Sequence, residues 1–526
     1  MKAATLRSMM ALHSWLGLVA GFGLFIAFYA GAITIFHEPL HAWQTPLPQS
    51  APAAIEHNPQ ALIDALLAAH PELAGSFSLT LPSEDEPELT LHAGERHFHL
   101  DAQGRLVEPE PESHLMDFIY RLHYSAGLPS SWGIYVLGVI CVLYGLALVS
   151  GVVIYAPTFF KDLFALRIGK NIKRMWQDAH NAIGILSLPF HVMYAWSSAI
   201  LALGLVLMAP FQFLVFDGKL LELAGRDIYA AIPAQPAKVA APMIAAPQLL
   251  ASAQREVPGM QATLLMYNNA GDANAQVQIY GQVAHKTVSR QAAVVLHAVS
   301  GKVERVQTPD NMSVGTRFLR SLYALHFGNF GHLAVQWMYF ILGLAGAFLF
   351  YSGNLLWIES RRKRLQLSQP RSGRLMAQAT LGVCLGCVAG VSAMFLINKL
   401  APAAPGQLPL WEERGYYAVF LLAVLWAFAR PPARAAHELL VLCALLTAAI
   451  PLAHWIATGV NPLLALVTGD GVVTGVALVA LLAAALYWKM ARAVLARGRH
   501  GDPHSVWSLR TAPTAGDSQA AQAQAA

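Results

Sequence analysis

The sequence predicts a polytopic α-helical membrane protein with about eight spanning helices and two small α+β modules held outside the membrane. Three observations predict it. The chain of 526 residues is 56% hydrophobic and only 12% charged, which does not suit a soluble domain with a polar surface. Its apolar residues gather into runs close to the ~20 residues that cross a hydrocarbon core roughly 30 Å thick. Two long stretches between those runs, 37–131 and 210–332, show instead short alternating patterns bounded by turn residues.

In chain order the apolar runs fall at about 9–36, 133–155, 180–209, 334–357, 376–397, 415–430, 437–457 and 463–488, the sixth being short. The first run is too long for the h-region of a signal peptide and closes on no small-residue cleavage site, so it is expected to stay as an anchor. The resulting plan is 1–36 first span; 37–131 first module; 132–209 second span, cytoplasmic loop and third span; 210–332 second module; 333–360 fourth span; 361–500 a C-terminal bundle; and 501–526 a disordered tail.

Orientation follows from Lys and Arg near the span ends. Lys2 and Arg7, Lys161 to Arg174, Arg361 to Arg374, Arg430 and Arg434, and Lys489 to Arg499 all fall on one side of the eight-span plan. That side is expected to be the cytoplasm, with both termini there and both modules outside. The net charge of +5 is then a product of topology, and no nucleic acid is needed to explain it. The four cysteines, Cys141, Cys384, Cys387 and Cys443, lie in apolar runs. Cys384-Leu-Gly-Cys387 matches C-x-x-C, but inside a predicted spanning helix it reads as small apolar packing.

The first 360 residues contain an internal repeat. The first run opens His13-Ser-Trp-Leu-Gly17 and the third His180-Asn-Ala-Ile-Gly184; each leads into an external segment that closes on Leu-His, in LHYSAG at 122–127 and LHFGNFG at 325–331. Within the segments, Asn58–His70 and Pro247–Glu256 have helical spacing. Phe77–Leu81, Glu88–His92, Gln261–Tyr267, Ala275–Tyr280 and Ala293–Val299 alternate as strands, and Phe98–Glu108 and Leu296–Val306 carry hairpin turns.

These features resemble the PepSY-associated transmembrane proteins, bacterial inner-membrane proteins with periplasmic PepSY modules. The resemblance covers roughly residues 8–360 and rests on His13-Ser-Trp-Leu-Gly-Leu, Leu122-His123, His180-Asn-Ala-Ile-Gly with Leu188-Pro-Phe-His191, Leu325-His326, and the two hairpins. The last four runs lie beyond the family's common four-helix pattern. Members of the family include iron-regulated ferrisiderophore reductases that carry haem b, and the resemblance implies the same cofactor here.

A histidine within the membrane is costly and marks a functional site, and neutral imidazole is a common axial ligand of haem iron. The repeat places His13 with His180 near one membrane face and His123 with His326 near the other, which would supply axial pairs for two haems. Gly17, Gly184 and Gly127 each follow a candidate ligand by four residues, on the same helix face, where a missing side chain would let a porphyrin lie close. His191, eleven residues after His180, is a less certain ligand at mid-membrane depth. His37 and His41 read as interfacial, His454 as structural, and Arg121 and Arg320 as solvated charges or partners of an anionic group.

The expected function is therefore a haem b oxidoreductase of the bacterial inner membrane that passes electrons to a periplasmic ferric chelate, such as a ferric siderophore. No G-x-G-x-x-G opens a helix after a strand, so the donor is expected to be external, cytoplasmic or a membrane quinol. The rival expectations are a non-enzymatic PepSY protein that binds or regulates a periplasmic partner, and a transporter built from repeats.

Overall fold

The computed structural model describes residues 3–44, 58–82, 89–94, 96–101, 103–108, 113–159, 171–220, 223, 230, 234–363, 366, 369–402, 404 and 406–510. The chain forms two compact units: a helical unit of Met1–Pro46, Ser113–Ala202 and Met338–Ala526, and a sheet unit of Leu47–Glu112 and Leu203–Trp337. Lys2, Lys161, Arg167, Lys170 and Arg364, used above for orientation, lie outside the described residues.

The helices, in chain order, are α1 (Ala3–Thr34), α2 (His37–Gln44), α3 (Pro59–Ala69), α4 (Leu115–Ser125), α5 (Ser130–Tyr155), α6 (Ile172–Leu186), α7 (Leu188–Leu214), α8 (Ala246–Glu256), α9 (Val314–Phe327), α10 (Leu333–Ser360), α11 (Arg371–Leu400), α12 (Leu408–Ala429), α13 (Pro432–Thr458), α14 (Pro462–Thr468) and α15 (Gly471–His500). Seven of these are long and apolar enough to cross a membrane: α1, α5 with its short extension to Thr158, α7, α10, α11, α13 and α15. Eight were expected, and the difference is α12. Glu412, Glu413 and Arg414 occupy its first turns, leaving an apolar stretch at 415–429 that is only about 22 Å long at 1.5 Å per residue.

α12 nevertheless runs antiparallel along α11. Gln378 Nε2 donates to the carbonyls of Phe428 and Arg430 at one end (3.0 and 3.2 Å), and Asn398 Nδ2 donates to Glu412 at the other (2.9 Å). Between these ends Gly382, Gly386 and Gly390 form a small-residue stripe against Val424, Ala423 and Tyr416, so close that a Cβ at Gly390 would meet the Tyr416 ring at 2.8 Å. The Cys384 and Cys387 thiols are free and buried in this packed core.

The third expected run, 180–209, is broken into α6 and α7. Pro189 lacks the N–H that would continue the ladder, and Ser187 leaves helical geometry just before it (φ −103, ψ 16). The Leu-His motifs likewise do not open spans 2 and 4 but close separate helices. α4 ends on Ala126 and α9 on Gly328, both left-handed (φ 53 and 67). The expected disordered tail is partly ordered: Trp507 Nε1 donates to Glu359 (3.1 Å), Arg362 pairs with Asp502, and Leu509 N donates to Gly498 O. Residues 511–526 lie outside the described residues.

In the sheet unit the two expected modules are fused. The strands are β1 (Ser76–Thr80), β2 (Thr90–Ala93), β3 (Arg96–Leu100), β4 (Leu106–Val107), β5 (Gln261–Asn268), β6 (Gln276–Gln282), β7 (Gln291–His297) and β8 (Val303–Gln307). They form one antiparallel sheet in the order β4-β3-β2-β1-β5-β6-β7-β8. Each segment contributes a helix followed by four strands, and the halves join where β1 pairs with β5, Ser78 opposite Met266. Leu62, Ile63 and Leu66 of α3 and Leu249 and Ala253 of α8 bury one face of the sheet, together with Phe77, Leu79, Leu91, Leu265 and Ile279.

Candidate functional site

His13 on α1 and His180 on α6 face each other with ring centroids 6.1 Å apart and planes at 80°. The two are held alike. His13 Nδ1 lies 2.8 Å from the Ala147 carbonyl and 3.3 Å from Ser150 Oγ on α5; His180 Nδ1 lies 3.1 Å from the Leu349 carbonyl and 3.4 Å from Ser352 Oγ on α10. Gly151 and Gly353 make room, since a Cβ at either would stand 3.1–3.2 Å from the imidazole. The internal repeat is thus exact at the level of contacts: α1 on α5 through His13, α6 on α10 through His180.

This arrangement fixes the chemistry of both rings. A carbonyl only accepts, so each Nδ1 carries the proton and each Nε2 is left with its lone pair. A hydrogen-bonded Nδ1–H is also the outer support that orients a metal-bound imidazole. With metal–nitrogen bonds of about 2 Å and about 1 Å from each nitrogen to its ring centre, two axial imidazoles would stand about 6 Å apart. The 6.1 Å spacing fits that demand. Beside His13, a Cβ added to Gly17 meets nothing within 4 Å, while one at Gly184 makes ordinary contact with Leu349.

His123, on α4, donates from Nδ1 to the Ala27 carbonyl (2.8 Å), pressed against Gly31 of α1. Fourteen residues of α1 separate His13 from Ala27, about 21 Å of helix. His326 is buried on α9 but belongs to the other unit, so the structure groups His13 with His180 and assigns the second expected pair to separate units. Gly127 needs correction: α4 ends at Ser125, and Gly127 follows it at φ +81 in a turn, so it shares no helix face with His123. His191 is fully buried with both nitrogens engaged, Nδ1 by the Tyr144 hydroxyl (2.6 Å) and Nε2 by Ser187 Oγ (3.0 Å). Its surroundings are Phe28, Tyr144 and Phe190.

Arg121 pairs with Glu413 (3.2 Å) and lies over the Phe118 ring. His37 pairs with Glu38 (3.1 Å) and stacks near His41. His454 is the surprise: it stacks on Trp43 at 5.1 Å, is 5% exposed, and neither ring nitrogen has a hydrogen-bond partner among the described residues. Sequence reasoning missed the acceptors of His13 and His180. The signal was present, as Ser150-Gly151 and Ser352-Gly353 recur at matching places in spans 2 and 4. It also missed the buried Glu412, which accepts from Ser113 Oγ, the His114 N–H and Asn398 Nδ2.

Residues 10–360 match the model of the PepSY-associated TM region. The chain belongs to this family. It is similar to the uncharacterized protein PA4219 of Pseudomonas aeruginosa, 28% identical over 380 residues that cover 66% of this chain and 90% of the relative. The PepSY-associated region ends at Ser360, the last residue of α10. All the candidate histidines except His454 therefore lie inside the family region, and α11–α15 lie beyond it.

Proposed function

We propose that this PepSY-associated protein is a haem b oxidoreductase of the bacterial inner membrane that delivers electrons to a periplasmic ferric chelate, ferric siderophores being the substrate class. The observation that carries the reading is the His13–His180 pair, with both Nδ1 atoms held by backbone carbonyls and ring centres 6.1 Å apart.

His13 and His180 would hold one haem. A bound haem supplies reversible one-electron chemistry. The chain's own contribution is orientation and exclusion of water. Ala147 and Leu349 fix the imidazole tautomers, and the aromatic residues Phe28, Tyr144, Tyr194 and Phe350 pack edge to face in the helix core beside His191.

On the substrate side, reducing ferric to ferrous iron lowers the charge that binds hard oxygen donors, so a chelator loosens its grip. With α12 carrying the chain back alongside α11, the termini and the positive loops are assigned to the cytoplasm and the sheet unit to the periplasm, on the distribution of Lys and Arg. The electron donor is then a cytoplasmic reductant or a membrane quinol.

The test is anaerobic reduction of the purified, haem-replete protein followed by addition of a ferric hydroxamate. Reoxidation of the haem absorbance with stoichiometric ferrous iron trapped by a chromogenic chelator is expected. A protein that carries no haem when made in haem-replete cells overturns the reading in favour of a non-enzymatic PepSY module.

A further inference from the structure

The face of the sheet opposite α3 and α8 carries a pair of histidines that the haem reading does not use. His92 on β2 stands directly across from His97 on β3. Their side chains project away from the core, since Leu91, Ala93, Phe98 and Leu100 are the buried alternates on these strands. The two Nδ1 atoms are 2.7 Å apart and the rings lie edge to face at 4.7 Å. On the other side of His92, Thr80 Oγ1 of β1 lies 3.3 Å from Nε2.

We propose that His92 and His97 form a binding site for a first-row divalent cation, of the borderline class that prefers imidazole nitrogen. The geometry requires that one proton, and only one, sit between the facing Nδ1 atoms: two protonated nitrogens would repel, and two bare ones would not approach to hydrogen-bond distance. A cation can take the place of that proton. Two metal–nitrogen bonds of about 2 Å at 90–110° need roughly 2.9–3.3 Å between the donors, so an opening of a few tenths of an ångström suffices, and His97 is solvent-exposed and free to swing.

Proton balance is simple. If His92 holds the shared proton at Nδ1, it moves to Nε2, and the Thr80 hydroxyl turns from donor to acceptor. If His97 holds it, that ring shifts its proton to its own Nε2 and Thr80 is unchanged. With both rings neutral, binding releases no proton. Thr80 is therefore a positioning residue that serves either tautomer.

Burial and the neighbouring His97 hold the His92 imidazole below its ordinary pKa of 6.5, which keeps this ligand deprotonated at neutral pH. No set of three or more His, Cys, Asp or Glu side chains among the described residues could hold a metal, so the pair leaves the remaining coordination positions to water or to an incoming ligand. Affinity across divalent ions should follow the order Fe2+ below Ni2+ below Cu2+. The site stands on its own observations and does not depend on the reductase reading.

The experiment is calorimetric titration of Zn2+ into the full-length protein in detergent, compared with His92→Ala, His97→Ala and Thr80→Val. Wild type is expected to bind one Zn2+ that both histidine variants lose, and Thr80→Val is expected to weaken that site by about tenfold. Because His97 is exposed, its alanine variant should fold normally, which a melting curve checks. Cu2+ loaded at one equivalent provides a second readout: electron paramagnetic resonance should show two coupled nitrogens in wild type and one in either variant. Zn2+ isotherms and Cu2+ spectra unchanged by both histidine substitutions, or a wild type that binds no Zn2+ above the level of His92→Ala and His97→Ala, would overturn the proposal.

Discussion

Gly17 lies four residues after His13 on α1, one turn further along the helix, and a Cβ built there meets no atom within 4 Å. For the polypeptide alone, Gly17→Ala should be favourable. Alanine exceeds glycine in helix interiors by about 0.8–1 kcal/mol, close to a fivefold shift toward the folded state, and nothing in the surroundings opposes it. Leucine at the same place starts from that same open Cβ position and is expected to be tolerated.

The outcome reverses if a porphyrin lies against that backbone. Forcing a side chain into an occupied, close-packed site costs about 1–3 kcal/mol, which lowers haem affinity by roughly 5- to 150-fold. Haem-free Gly17→Leu should melt no lower than haem-free wild type, while the same variant should carry little haem by pyridine haemochrome assay when purified from haem-replete cells. Wild-type haem content and affinity in Gly17→Leu would refute the placement. Gly184→Leu is the companion: it meets Leu349, 3.6 Å from its Cβ position, so it should lose stability even without haem.

Three further outcomes follow from particular contacts. Gly31→Ala puts a methyl 2.5 Å from His123 Nδ1 and should displace that ring from the Ala27 carbonyl, costing about 1–3 kcal/mol from overpacking; a melting curve matching wild type would contradict this. His454→Phe keeps the stack on Trp43 and removes two buried nitrogens that lack partners, so the melting temperature should rise by the equivalent of about 1 kcal/mol or more; a fall would show that something pairs with that ring. The sheet unit should lose stability as pH drops below about 6.5. His92 has a lowered pKa when folded, so the unfolded chain binds more protons in the window between the folded value and 6.5, and stability rises with pH there. His92→Gln should flatten that part of the stability profile, and an unchanged slope in urea titrations at several pH values would contradict the assignment.

Much of this architecture was legible because the physics that dictates it is local. Runs of apolar residues read directly as helices, and the His13 and His180 motifs stood out because they recur in the same relation to the external segments. What pairs with those histidines was harder to see. The Ala147 and Leu349 acceptors are backbone carbonyls, which leave no mark in residue type, and only the recurring Ser-Gly pairs hinted at them. The fusion of the two modules was invisible for a similar reason. The β1–β5 pairing joins strands nearly two hundred residues apart, and alternation reveals a strand but never its partner.

Two misreadings had signals that could have been used. Pro189 stands where the third run breaks into α6 and α7, and proline disfavours helical geometry in the residue before it. The Ala126–Gly127 and Gly328 positions mark left-handed helix ends, so LHYSAG and LHFGNFG recur in part because each closes a helix. In the C-terminal bundle, Glu412 lies in the first turns of α12, where a bare charge would be costly. It is instead buried with three donors around it, a compensation that only tertiary structure supplies.

The most direct test of the central claim is the haem stoichiometry and low-spin spectrum of the purified protein beside His13→Ala, His180→Ala and His191→Ala. The account predicts a bis-histidine b-type spectrum in which His13→Ala and His180→Ala each lose the same haem, while His191→Ala, whose ring is already engaged by Tyr144 and Ser187, retains it. Full haem content in both His13→Ala and His180→Ala would contradict the account.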